Sequence, residues 1–171
     1  VKLGVRSIEH GNLATEQSIA LMKKHGAILV PTLAIYRALV EEGVKAGLPE
    51  ELVDKTYEVL DAGINAVEMA YKAGVPMAYG TDLLGIMHRR QLTEFGLRAE
   101  VVKPVDLVRA ATINGARLIR READLGLVQD GYLADMIVVD GNPLDDIRIM
   151  EDPERSPRLV MKEGKVFVNH L

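Results

Sequence analysis

Ala27-Ile28-Leu29-Val30-Pro31-Thr32-Leu33 is a near-continuous apolar run with no alternation of polar and apolar positions. A strand with one solvated face alternates, whereas a strand buried on both faces of a parallel sheet does not. The chain on either side fits that reading. Upstream, residues 5–9 form a short apolar stretch that ends in the turn-forming His10-Gly11-Asn12. Thr15 can cap the helix that follows, in which Ile19, Met22 and Lys23 recur at helical spacing before Gly26 ends it. Downstream, Pro49 suits a first helical turn, Leu52, Val53, Leu60, Ile64 and Val67 make an apolar stripe, and Gly74 closes the helix. Residues 75–79 form the next strand, running into Gly80-Thr81-Asp82. Helices are predicted over residues 93–102 and from Pro104 to Ile119. The order β-α-β-α-β-α-α is that of an α/β barrel or layered parallel sheet.

The last third reads differently. Met136-Ile137-Val138-Val139 is a buried-strand run between Asp135 and Asp140, and Asn142-Pro143 makes a turn. Residues 158–161 and 165–168 read as two strands around Glu163-Gly164, a hairpin signal. Residues 1–120 are therefore expected to form the α/β part and residues 121–171 a small β unit.

Bulk properties narrow the function. The 171 residues carry a formal net charge of -4 and no dense Lys/Arg run, which argues against nucleic-acid binding through a basic surface. With no cysteine there is neither a disulfide nor a thiolate site, a composition compatible with cytoplasm. The longest apolar stretch, residues 27–36, is broken by Pro31 and reaches about half of the ~20 residues that span a bilayer. No secretory signal precedes it. The expectation is a soluble cytoplasmic protein with no membrane partner.

Two residues stand where chemistry is built. His10 and Asp82 each follow the C-terminal end of a predicted parallel strand, the edge where barrel active sites form. An imidazole and a carboxylate can share a divalent metal that keeps one position open for water. Singly, each has a plainer reading: a strand-end histidine usually packs or hydrogen-bonds, and Gly-Thr-Asp is an ordinary turn. Together they predict converging side chains on one side of a sheet.

At this point the sequence resembles the amidohydrolase superfamily. Ile8-Glu9-His10-Gly11, Pro31-Thr32-Leu33 and Gly80-Thr81-Asp82 match its final three barrel strands. Arg109-Ala110-Ala111-Thr112-Ile113-Asn114-Gly115-Ala116 extends the match, as does Gly131-Tyr132-Leu133-Ala134-Asp135 continuing through Val138-Val139-Asp140-Gly141-Asn142-Pro143-Leu144. The likeness is to the imidazolonepropionase-like and prolidase-like branch. It covers essentially the whole chain but only the C-terminal portion of a typical member. It implies the last three β/α units of a TIM-type (β/α)₈ barrel plus strands of a small β-sandwich-like domain.

The resemblance makes His10 a metal ligand and Asp82 both a metal ligand and the catalytic carboxylate that moves the proton from water to the leaving nitrogen. It implies a divalent metal, zinc first, as one or two ions. The His-x-His pair, carboxylated lysine and further histidine that members carry earlier have no match here. The expectation is thus part of a site, completed by a missing N-terminal portion or by another copy in a homo-oligomer. The isolated chain is then expected to be inactive and to leave two sheet edges unpaired.

Of the other histidines, His25 lies at a helix end, where a cation suits the dipole, and His170 lies near the terminus. Candidate substrate-binding residues are Tyr36 after the second strand, and His88 and Arg89 in a loop over the site. A guanidinium there could hold a substrate carboxylate, as could that of Arg90. The expected reaction is hydrolysis of an amide-type C–N bond in a small-molecule dipeptide or N-acyl amino acid. The alternatives are a cyclic amide and a non-catalytic assembly module.

Overall fold

The computed structural model describes residues 1–45, 47–152 and 154–171. It has a mixed α/β fold. Strand β1 (Ser7–Glu9) pairs in parallel with β2 (Ile28–Val30), with Ile8 opposite Leu29. Helix α1 (Glu16–His25) crosses between them. Its start is a reciprocal box in which the Thr15 hydroxyl accepts from Ser18 N–H and the Ser18 hydroxyl accepts from Thr15 N–H. Gly26 ends it in the left-handed conformation.

Helix α2 (Leu33–Glu42) begins only three residues after β2 and buries Leu33, Ala34, Ile35 and Ala38. The apolar run was expected to remain extended through Leu33, with Tyr36 and Arg37 in a loop; both instead lie on α2. Helix α3 (Glu50–Ala73) follows, with Pro49 at its N-cap rather than inside its first turn. It turns Leu60, Gly63, Ala66, Val67 and Ala70 inward, and Gly74 closes it.

Residues 75–79 run parallel to β2 on its other side, bridged at Leu29 and Met77. The ladder is short: Leu29 N–H donates to Pro76 O and Ala78 N–H to Leu29 O, both at 2.9 Å. Three parallel segments thus lie side by side with β2 central, and closure into a barrel is not contained in these residues. Leu29, Leu33, Leu60, Val67 and Met77 belong to the main core, while Ile28, Val30 and Ala78 form a second cluster with Leu118 packed on it. Burial of β2 on both faces explains its uninterrupted apolar sequence.

After a 3₁₀ turn (Gly85–Arg90) come α4 (Thr93–Arg98), α5 (Pro104–Ala111) and α6 (Ile113–Leu118). The single helix expected from Pro104 to Ile119 is broken at Thr112, whose φ and ψ are -119° and -89°. The broken corner docks on residues 75–79: Tyr79 N–H donates to Ala110 O, and Asn114 Nδ2 donates to Met77 O at 2.8 Å. That outer edge was expected to be unpaired. The corner instead satisfies two of its backbone groups.

The C-terminal unit is one antiparallel sheet of β3 (Met136–Val138), β4 (Leu159–Lys162) and β5 (Lys165–Asn169), in that order. Glu163 and Gly164, both at positive φ, form the hairpin turn that the sequence predicts. β3 was read as buried, yet Ile137 is 52% exposed, as no described residue covers the sheet there. Among the described residues no helix is long and apolar enough to cross a membrane.

Gly63 lets α3 approach the β1–α1 turn. A Cβ there would fall 2.5 Å from Asn12 Nδ2 and 2.8 Å from Leu33 Cδ2. Gly→Ala in an exposed helix stabilises by up to about 1 kcal/mol. Here Gly63→Ala should instead destabilise by about 1–3 kcal/mol, the usual cost of overpacking. Urea unfolding of the two proteins checks the sign.

Candidate active site at the strand ends

His10 is the first residue beyond β1. Its N–H donates to Val30 O at 2.9 Å, so the parallel pairing holds up to the point where the chain turns. There the backbone enters the left-handed region, with φ at +64°. Asp82 does the same after Gly80-Thr81, with φ at +53°. Such a conformation is uncommon and costly for residues other than glycine, and it persists only where the surroundings hold it. Among the described residues two other non-glycine residues have positive φ: Glu163 has an ordinary explanation in its hairpin, and Arg120 follows the end of α6. His10 and Asp82 share a more specific place, the carboxyl ends of two segments that flank β2.

Three contacts fix this edge. His10 Nδ1 lies 2.7 Å from the Thr32 hydroxyl, so the ring is held by the residue that opens α2. Asn12, 5% exposed, donates from Nδ2 to Val59 O at 3.1 Å and pins the β1–α1 turn onto α3. Gly80 lies so close to β2 that a Cβ would sit 2.6 Å from Val30 Cγ1. His10 and Asp82 are both exposed, so the edge is open to solvent.

The sequence-predicted substrate residues fall around this edge unequally. Tyr36, on the first turn of α2, has its phenol pKa raised by burial and then by the charge of Asp82, which places the two groups in one electrostatic neighbourhood. His88 is exposed on the 3₁₀ turn. Arg89 is already engaged, with Glu42 Oε2 at 2.6 Å and Ile86 O at 2.7 Å. Arg90 pairs with Glu41 and with Glu42. The two arginines clasp the C-terminal end of α2 and are not free cations. His25 lies in the last turn of α1, and His170 bonds Arg158 through its backbone.

Beneath the edge lies a pair that the sequence reading missed. Glu94 and Arg98 on α4 are both 0% exposed. Glu94 Oε2 accepts from Ala34 N–H at 2.7 Å, at the start of α2, and Arg98 Nη1 donates to Ala78 O at 3.0 Å. Burial pushes the Glu94 carboxyl up to about 8, against the pull of Arg98 and of the Ala34 and Leu33 amides. Burial likewise lowers Arg98, so desolvation outweighs attraction for both partners. Tyr79 closes the cluster, donating to Gln91 O at 2.7 Å and lying 4.4 Å from the Phe95 ring centre. A Glu and an Arg four apart in a helix normally make a solvated pair, and only the dense apolar flanks of Thr93-Glu94-Phe95-Gly96-Leu97-Arg98 hint otherwise.

Among the described residues, no group of three or more His, Cys, Asp or Glu side chains could hold a metal ion. His10 and Asp82 have the donor chemistry of a hydrolytic metal but supply fewer than the three protein ligands usual at such a centre.

An imidazole and a carboxylate at the carboxyl ends of the two parallel segments on either side of β2 define an α/β protein with an open strand-end site. The chain belongs to the amidohydrolase family, whose model matches residues 1–167. Ochratoxinase of Aspergillus niger is 32% identical over 168 residues, covering 98% of this chain and 35% of the relative. Imidazolonepropionase of Treponema denticola is 24% identical over 176 residues, covering 96% and 36%. A crystal structure of a prolidase complexed with N-methylphosphonate-L-proline matches with a TM-score of 0.92 at 41% identity, over 98% of this chain and 41% of that one. The chain therefore spans well under half the length of these relatives.

The raised carboxyl of Glu94 gives stability a pH dependence of known sign. A carboxyl that rises from 4.5 to about 8 on folding contributes fully below pH 4.5, and the contribution is lost as pH rises through about 8. Urea stability should fall across that window, and Glu94→Gln, which cannot ionise, should remove that part of the slope. An identical slope in the variant would assign the dependence to other groups.

Proposed function

We propose that this chain carries the strand-end portion of the active site of a metal-dependent amidohydrolase acting on an amide-type C–N bond in a dipeptide or N-acyl amino acid. The observation that carries the reading is the placement of His10 and Asp82, both in left-handed conformations, at the carboxyl ends of the two parallel segments that flank β2. The likeness to a prolidase supports the substrate class. A cyclic amide is the second reading, supported by the imidazolonepropionase relative.

A divalent cation, zinc by preference of an imidazole–carboxylate donor set, would be held by His10 through Nε2 and by Asp82, with the remaining ligands from outside these 171 residues. When bound, such an ion polarises the scissile carbonyl and acidifies water. The chain's own residues do the rest. The Asp82 carboxylate accepts the proton of the attacking water and returns it to the leaving nitrogen. The Tyr36 phenol, kept protonated by burial and by Asp82, donates a hydrogen bond to the substrate. His88 borders the opening from the 3₁₀ turn, and Arg89 reaches a substrate carboxylate by exchanging it for Glu42.

The test is Asp82→Asn in the polypeptide that contains this chain, assayed on Xaa-Pro dipeptides, N-acyl amino acids and a cyclic amide. The variant should keep its melting temperature and lose about 10²–10⁴-fold in kcat/KM, the range for loss of a general acid–base. Near-normal turnover would remove Asp82 from the mechanism, and turnover of the cyclic amide alone would favour the second reading.

A further inference from the structure

Thr32 occupies the N-cap of α2, the position where a threonine hydroxyl normally accepts from one of the first free amides of its own helix. It makes no such bond. The amide that it would cap, Ala34 N–H, donates instead to Glu94 Oε2 from α4, sixty residues further along the chain. The hydroxyl freed in this way lies 2.7 Å from His10 Nδ1. We propose that Glu94 is a surrogate cap for α2 whose role is to release the Thr32 hydroxyl, so that Thr32 holds His10 with its proton on Nδ1 and its Nε2 lone pair turned to the open edge. The inference deepens the reading of His10 as a site residue and makes Thr32 and Glu94 positioning residues.

The cost of the arrangement argues that it serves more than stability. Glu94 Oε1 and Arg98 Nε and Nη2 are buried with no hydrogen-bond partner among the described residues. Apolar side chains of similar volume in place of a buried ionic pair are commonly neutral or stabilising. Capping alone does not call for Glu94 either, because Thr32 is itself a good N-cap residue. What Glu94 adds is geometric. Above its raised pKa Glu94 is a carboxylate whose bond to Ala34 N–H is charge-assisted and suits the helix dipole. Below it the carbonyl oxygen of the acid still accepts from the same amide, so the Thr32 hydroxyl is displaced in either form. Arg98 ties the same helix to Ala78 O, two residues before Gly80, so α4 braces both the start of α2, where Thr32 meets His10, and the segment that leads to Asp82. The hydroxyl can donate or accept at Nδ1, and in the proposed arrangement it accepts from Nδ1–H, which leaves the Nε2 lone pair free at the open edge.

The test reads the His10 tautomer directly by long-range ¹H–¹⁵N NMR of the histidine-labelled chain, at alkaline pH and without metal or substrate. The His10 signal is assigned by its loss in His10→Gln. The wild type should show the proton on Nδ1. Thr32→Val should shift it to Nε2, the commoner form of free imidazole, and Thr32→Ser should restore it. The double variant Glu94→Met/Arg98→Met removes both buried charges together and should give the same shift as Thr32→Val, because the hydroxyl then turns to its own helix. Glu94→Gln keeps a weaker acceptor and should shift the population partway. If the double variant fails to fold, Glu94→Gln decides. A wild-type proton on Nε2, or a folded Glu94 variant with an unchanged tautomer, would overturn the proposal. Because neither metal nor turnover enters the measurement, an inactive enzyme with the expected tautomer would count against the proposed reaction and not against this device.

Discussion

Leu29 is where the parallel segments are joined. It is fully buried, and both its backbone groups bond residues 75–79, while Ile28 N–H and Val30 O reach the other way to Arg6 and His10. One three-residue strand therefore holds neighbours on both sides, and everything at the carboxyl edge depends on its register. His10 turns only after its amide has met Val30, and Gly80 crosses where only a glycine clears the same valine. A slip of one residue would exchange the faces of every side chain on the moving segment. The two candidate groups would then no longer open on the same edge.

Much of the helical framework is legible in the sequence because its boundaries are made locally. Thr15 with Ser18, Gly26 and Gly74 each act within a few residues, and the Glu163-Gly164 hairpin is equally self-contained. The elements misread are those bounded from a distance. Helix α2 starts inside a near-continuous apolar run, where Pro31-Thr32 reads as readily as the continuation of a strand as the start of a helix. The contact that stabilises its first turn comes from Glu94. The break between α5 and α6 has no proline, and its tertiary correlate is the docking of Tyr79 and Met77 onto the corner. β3 has the composition of a core strand, and its exposure depends on what lies against it rather than on its own residues.

The candidate site divides in the same way. His10 and Asp82 can be found because position at the end of an apolar run is a sequence property. Their left-handed backbone is not, since neither residue type demands it. Thr32 is visible as the residue after Pro31, but its hydroxyl could equally cap its own helix, and only the arrival of Glu94 decides. Arg89 and Arg90 look like free cations in a loop. Helix α2, unrecognised from sequence, brings Glu41 and Glu42 to them.

The clasp between those arginines and the end of α2 makes the two sides of the candidate edge respond differently to the solution around them. On the β1 side, the fixing contacts are backbone pairing, the buried amide of Asn12 and the close fit at Gly63, none of which involves a charge that salt can reach. The turn bearing His88 is held by partly solvated ion pairs, each worth at most about 1 kcal/mol. Mobile ions screen such pairs over a Debye length of about 8 Å at physiological ionic strength and about 3 Å at 1 M. Ionic strength thus weakens the ion pairs that tie the His88 turn to α2, while the contacts on the β1 side of the edge do not respond to it. Buried Met87 is what keeps the turn seated when salt is high.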